Sequence, residues 1–242
     1  MCYKVNKIKG NKIEIEIPVF RSDVWHDVDI ADDIARAYGY NNIKPHFPEI
    51  SSNGEHLNKS LKKEKISQNL TELGFIELYT YMLTSTETQF EKMSLEENKN
   101  RVKIIDSAEE GINTIRTLIL PENLIALNIN RKCGYPQKIF ENGFVINDDE
   151  NEEHLCICIA DPKSNYTKIK EVYDHLIKIN GWDLSLKNKK YSFLIEGRSG
   201  EVIYKNKNIG FIGEIHPKIL DAFGVLVPIC CMEINIKDLI EE

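Results

Sequence analysis

The sequence predicts an α+β fold, an antiparallel sheet flanked by helices and preceded by a small separate domain. Through the second half of the chain, segments with an apolar period of two follow one another directly, as strands joined to neighbouring strands do. Amphipathic stretches with a period near 3.6 lie among them. A Pro-, Ser- and Asn-containing stretch at 44–53 reads as a linker and divides the chain into residues 1–50 and 51–242.

In chain order, residues 13–20 alternate Ile13, Ile15 and Ile17 with Glu14 and Glu16, the period of a half-buried strand ended by Pro18. A helix is expected over 29–38, with Ile30, Ile34 and Tyr38 on one face, stopped by Gly39 and Asn41-Asn42. The second domain opens with an amphipathic helix over 57–73, where Leu57, Leu61, Ile66, Leu70 and Leu73 share a face and Gly74 ends the run. Residues 75–83 read as a strand. A helix after Leu118 carries Pro121 in its first turn, where a missing N–H costs little. Strands are expected over 137–147, 154–160, 191–195, 200–204, 208–215 and 230–237, and a helix over 169–180. The acidic run 148–153 reads as a solvated hairpin loop.

Composition narrows the function classes. Hydrophobic residues at 42% and charged residues at 29% are the balance of an ordinary soluble globular chain. With 31 Lys+Arg against 38 Asp+Glu, the net charge of −7 removes any argument for nucleic-acid binding from bulk charge. The best local basic patch is Lys59, Lys62, Lys63 and Lys65, for which a solvated lysine face is the simpler reading. Six cysteines form no C-x-x-C pair and no Cys/His zinc spacing, and Cys156 and Cys158 read as small buried residues on one strand face. With no apolar run of signal-peptide or membrane-spanning length in the sequence, a reduced, cytoplasmic protein with no membrane partner is expected.

The sharpest chemical feature is acidic. On a helix starting near Asp29, the residues Asp29, Asp32 and Asp33 stand at i, i+3 and i+4, so their carboxylates share a face. Asp23, from the preceding turn, is close enough in sequence to fold back to the same end. Clustered carboxylates repel unless a cation sits between them, and oxygen ligands suit magnesium or calcium. The same acids also suit the helix dipole and an ion pair to Arg36, and spacing leaves both readings open.

The stretch Ile17-Pro18-Val19-Phe20-Arg21-Ser22-Asp23-Val24, with 26–29 and Ile34-Ala35-Arg36-Ala37-Tyr38-Gly39-Tyr40-Asn41-Asn42-Ile43, resembles the small domain that precedes the core of phenylalanyl-tRNA synthetase β subunits, of the archaeal and eukaryotic cytosolic type. The likeness continues through Thr114-Ile115-Arg116-Thr117-Leu118, Glu196-Gly197-Arg198-Ser199, residues 209–217 and Met232-Glu233-Ile234-Asn235. It covers nearly the whole chain. The resemblance implies a class II aminoacyl-tRNA synthetase-like antiparallel sheet at 51–242, preceded by a partial small α/β domain at 1–50. It implies a catalytically silent core, so no catalytic residue is assigned. It also implies magnesium on Asp23, Asp29, Asp32 and Asp33, in a site shared with the α subunit. ATP would be bound by that α subunit, in a heterotetramer of two α and two β that attaches phenylalanine to tRNA(Phe). The family's long N-terminal modules have no counterpart here, so a fragment or a reduced subunit is expected.

Two further readings compete with this one. One is a freestanding nucleic-acid or protein-binding module with a degenerate synthetase fold. The other is an active adenylate-forming ligase. Adenylyl chemistry needs cations where charge builds on phosphate. The segment Gly210-Phe211-Ile212-Gly213-Glu214-Ile215-His216 carries an acid and no arginine. Arg198 is expected to be a surface or sheet-packing arginine. Arg116 and Arg131 are expected in contact with a partner or in surface ion pairs, and His216 before Pro217 at a turn or helix start.

Overall fold

The computed structural model describes residues 1–47, 53–107 and 110–241. It divides into two compact units, Met1–Gly54 and Glu55–Glu242. Part of the expected linker, residues 48–52, lies outside the described residues.

In the first unit, strands β1 (Lys4–Lys9) and β2 (Lys12–Glu16) form an antiparallel hairpin with Ile8 opposite Ile13 and Val5 opposite Ile15. Gly10 takes a φ of 55° at its turn, a conformation that glycine adopts without Cβ strain. β1 was not expected, because its lysines mask the period-two pattern. Ile8 and Ile13 are exposed, so the alternation does not mark a half-buried strand here. Helix α1 (Asp27–Tyr38) starts two residues before the expected position, buries none of its residues, and ends at Gly39 with φ 93°.

In the second unit, helix α2 (Asn58–Glu72) buries Ile66, Asn69 and Leu70, while Leu57 and Leu61 stay exposed. Next come β3 (Ile76–Glu77), β4 (Leu83–Thr84), a π-helical turn at Glu87–Glu91, β5 (Thr114–Ile115) and α3 (Leu120–Ile129), with Pro121 in its first turn. Strands β6 (Gln137–Asn147) and β7 (Glu150–Ala160) form a long hairpin, followed by α4 (Tyr166–Asn180). The chain closes with β8 (Leu184–Asn188), β9 (Leu194–Tyr204), β10 (Lys207–Ile215), α5 (Pro217–Phe223), β11 (Ile229–Asn235) and α6 (Lys237–Glu241).

Among the described residues, seven strands make one sheet in the order β3-β6-β7-β11-β10-β9-β8. Every pairing is antiparallel except β3 on β6. Alternation assigns side chains to two faces. Phe140, Leu155, Ile157, Ile212 and Met232 join Ile66, Leu70, Ile169, Leu176 and Leu239 from α2, α4 and α6 in one core. Ile139, Val145, Cys156, Cys158, Phe211 and Cys231 join Leu120, Leu124, Ile219 and Phe223 from α3 and α5 in the other. The expected α+β architecture, a mostly antiparallel sheet with helices on its faces, is the one observed.

Several details differ from the sequence reading. Residues 75–83 are not one strand: only β3 joins the sheet, and β4 pairs with β5 in a separate two-stranded sheet. Of the expected strand 191–195 only 194–195 belong to β9, which also contains all of 200–204, and the edge strand β8 was not expected. The acidic run is a solvated hairpin turn only in part, with residues 148–151 exposed and Glu153 buried. The turn occupies only Asp148 and Asp149, both at positive φ, and Glu150 to Glu153 extend β7.

Candidate functional site

The acidic cluster of the first unit is built by three pieces of chain. Arg21 follows a turn closed by its own N–H on the Pro18 carbonyl, which aims its side chain back towards α1. Its Nε and Nη2 grip Asp23 at 2.9 and 2.8 Å, and Nη2 also donates to Asp33 Oδ2 at 2.7 Å. The Tyr3 hydroxyl donates to the same Asp33 oxygen at 2.5 Å, and the guanidinium lies 5.3 Å from the Tyr3 ring centroid. The Arg21 guanidinium holds the Asp23 carboxyl below its ordinary range, and Tyr3 with Arg21 does the same for Asp33.

The other two acids point elsewhere. Asp29 sits in the first turn of α1 and accepts the backbone N–H groups of Trp25 and His26, both at 2.8 Å, which lowers its pKa. Asp32 pairs with Arg36 one turn on, at 2.7 Å, and accepts the Tyr40 hydroxyl. The four acids assigned to magnesium by resemblance are therefore near neighbours, but they do not converge within this chain. Among the described residues, no group of three or more His, Cys, Asp or Glu side chains is arranged to hold a metal ion. The residues as placed do not fit a resident magnesium ion.

The second unit carries charges that sequence reading did not single out as a set. Arg116 is buried rather than at the surface: its Nη1 reaches Glu141 Oε1 and Thr80 Oγ1 at 2.7 Å each, and its Nε reaches the Phe144 carbonyl. Arg198, exposed on β9, pairs with Glu214 at 2.8 Å, and Glu214 also accepts the Tyr166 N–H at the start of α4. Glu233 accepts the N–H groups of Ile119 and Leu120 at the start of α3, both at 2.9 Å. His154 stands between Glu233 (2.8 Å) and Glu152 (3.0 Å). Burial opposes a charge on this ring, but the two carboxylates outweigh it and raise its pKa to about 9.

Lys59 and Lys63 do not form a free lysine face. Both reach inward to the buried Glu153 of β7. Burial pushes the Glu153 carboxyl up, and the two lysines overcome it to leave its pKa below the ordinary value. His216 caps α5, accepting the Lys218 N–H, as the following Pro217 suggested. One signal for these sites was present: a charged residue at an inward position of an otherwise apolar strand, as with Glu233 between Met232 and Ile234.

The description "Phenylalanyl tRNA synthetase beta chain CLM domain" matches residues 43–236, and "tRNA synthetase B5 domain" matches residues 1–40. The chain is 33% identical over 244 residues to the phenylalanine–tRNA ligase β subunit of Thermococcus sibiricus, covering 98% of this chain and 43% of that protein. The corresponding β subunits of Methanosarcina barkeri and Pyrococcus furiosus are each 32% identical, over 240 and 246 residues, covering 99% of this chain and 44% of each relative. The chain thus spans less than half the length of these curated relatives. Two matched descriptions that together span almost all of it, and relatives whose alignments cover 98–99% of this chain, identify the chain as a member of the phenylalanyl-tRNA synthetase β-chain family.

Proposed function

We propose that this chain is the non-catalytic β-subunit core of a cytoplasmic phenylalanine–tRNA ligase, paired with a catalytic α subunit in a heterotetramer of two α and two β. The complex attaches phenylalanine to tRNA(Phe), with ATP bound by the α subunit. Residues 51–242 are read as a class II-like core and residues 1–50 as its small acidic-helix domain.

The observation that carries the non-catalytic role is the state of the arginines. A site that transfers an adenylyl group must leave cations free for phosphate oxygens. Arg198 is held by Glu214, and Arg116 is buried against Glu141. Support for an obligate partner comes from the edge of the sheet. β3 ends it, and Ile76, Tyr79, Tyr81 and the nearby α3 residue Ile129 are all well exposed. Among the described residues no helix is long and apolar enough to cross a membrane. Magnesium at Asp23, Asp29, Asp32 and Asp33 belongs to this proposal only as a site completed by the α subunit, because in the chain by itself Asp23 and Asp33 share Arg21 while Asp29 and Asp32 are engaged elsewhere.

Co-expression with the cognate α subunit, followed by phenylalanine-dependent pyrophosphate exchange, tests the reading. The complex is expected to co-purify and to exchange, and the chain alone is expected to be inactive. Exchange by the chain alone, or failure to capture the α subunit, overturns it.

A further inference from the structure

We infer that the guanidinium of Arg21 is the resident cation of the acidic cluster, so that the first unit gathers Asp23 and Asp33 without a metal ion and keeps a divalent cation out while Arg21 is in place. This inference concerns the chain by itself and does not depend on an α subunit.

The argument begins with repulsion. Two carboxylates brought together from different elements need a positive charge between them. Here a single nitrogen supplies it: Arg21 Nη2 lies 2.8 Å from Asp23 Oδ2 and 2.7 Å from Asp33 Oδ2. That nitrogen stands where a small cation bridging the two oxygens would have to stand. The guanidinium is fixed from several sides. Nε adds a second bond to Asp23, Nη1 donates to the Met1 carbonyl at 3.2 Å, and the Tyr3 ring lies against it. The Tyr3 hydroxyl shares the Asp33 oxygen that Arg21 uses.

The remaining acids are already committed. Magnesium demands near-octahedral oxygens at about 2.0–2.1 Å and gives up its waters reluctantly. Asp29 is engaged by two backbone N–H groups, and Asp32 by Arg36 and Tyr40. To bind between Asp23 and Asp33, the ion would have to expel Arg21 and break the contacts that join the segment before β1, the turn at Arg21 and helix α1. The arginine is thus a structural tie as well as a counter-charge.

The test uses the 242-residue chain with Trp182→Phe, which leaves Trp25 as the only tryptophan. Trp25 reports on this cluster, since its indole N–H bonds the Ser22 carbonyl and its backbone N–H bonds Asp29. Unfolding of the first unit is followed by Trp25 fluorescence in millimolar magnesium and in chelator, and manganese binding is counted by electron paramagnetic resonance. With Arg21 present, the unfolding midpoint is expected to be the same in both solutions, without saturable manganese binding. Arg21→Lys is expected to behave alike. Arg21→Met is expected to lower the midpoint in chelator, to regain it in magnesium, and to show the saturable manganese binding that the parent lacks. Saturable manganese binding by the parent, or a magnesium-dependent midpoint in it, overturns the inference. So does an Arg21→Met chain that folds yet is no more responsive to the metal. If Arg21→Met fails to fold in either solution, the parent's manganese titration still decides.

Discussion

Replacing His154 with Asn should remove a pH-dependent contribution to stability of predictable size and sign. The ring is buried between Glu233 and Glu152, and its pKa is raised from 6.5 to about 9. The folded state therefore holds the proton more tightly than the unfolded chain. The resulting stabilisation is complete below about pH 6.5 and is lost as pH rises through about 9. A tenfold change in proton affinity corresponds to about 1.4 kcal/mol, so the contribution is roughly 3 kcal/mol. Because Glu233 also holds the first N–H groups of α3, the loss falls on the contact between that helix and β11. Urea unfolding of the parent and of His154→Asn, compared between about pH 6 and about pH 10, measures it. The gap should be about 3 kcal/mol at the lower pH and shrink to under about 1 kcal/mol at the higher, with other titrating groups cancelling between the two proteins. A gap that is constant, or that widens with pH, refutes the charged-ring account.

Three further perturbations probe the same unit. Arg116→Met should cost about 3–5 kcal/mol by stranding the buried Glu141, and adding Glu141→Leu should recover much of that loss in thermal unfolding. In Gly210→Ala, the new methyl would lie 2.0 Å from the Glu233 carbonyl oxygen and 2.7 Å from Ile234 Cα. Both obstacles are backbone of a central strand, so the loss should exceed the ~1–3 kcal/mol of ordinary overpacking. Gly134→Ala, which meets nothing within 4 Å, should be close to neutral by the same measurement.

The parts of the fold that were legible in the sequence are those where one physical signal dominates. The long hairpin β6–β7 and helix α4 carry strong periodicity and clean stops, and the structure places them within a few residues of expectation. Weak or mixed signals misled. β1 and β8 interleave lysines and asparagines with few apolar residues, and β8 needs only β9 beside it to be a strand. The acidic run is exposed at its turn, and charge alone gives no sign that its last member, Glu153, is buried. Lys59 and Lys63 from α2, more than eighty residues earlier, make burial of Glu153 tolerable. No local window contains that pairing. The acidic cluster shows the same limit in reverse. Helical spacing brought Asp29, Asp32 and Asp33 to one helix, but it could not show that Arg21, Tyr3 and Tyr40 would divide them.

The buried charges share a logic that bears on what this core can do. Each couples a covering element to the sheet: Glu153 takes α2 through Lys59 and Lys63, and Glu214 takes the start of α4. Glu233 takes the start of α3, and Glu141 takes the Arg116 segment ahead of α3. Hydrogen bonds to charged groups contribute about 1.5–3 kcal/mol each, and stranding one partner costs the full desolvation of the other. Polarity on these sheet faces is therefore directed inward, at the protein's own backbone and side chains. A phosphate-handling site requires the opposite arrangement, with cations preorganised yet unpaired until substrate arrives. Arg116 and Arg198 are not so placed, and freeing Arg116 would leave Glu141 buried without its counter-charge. The same contacts that hold the layers of this fold together thus keep Arg116 and Arg198 paired within the chain, which is the physical support for the non-catalytic role proposed above.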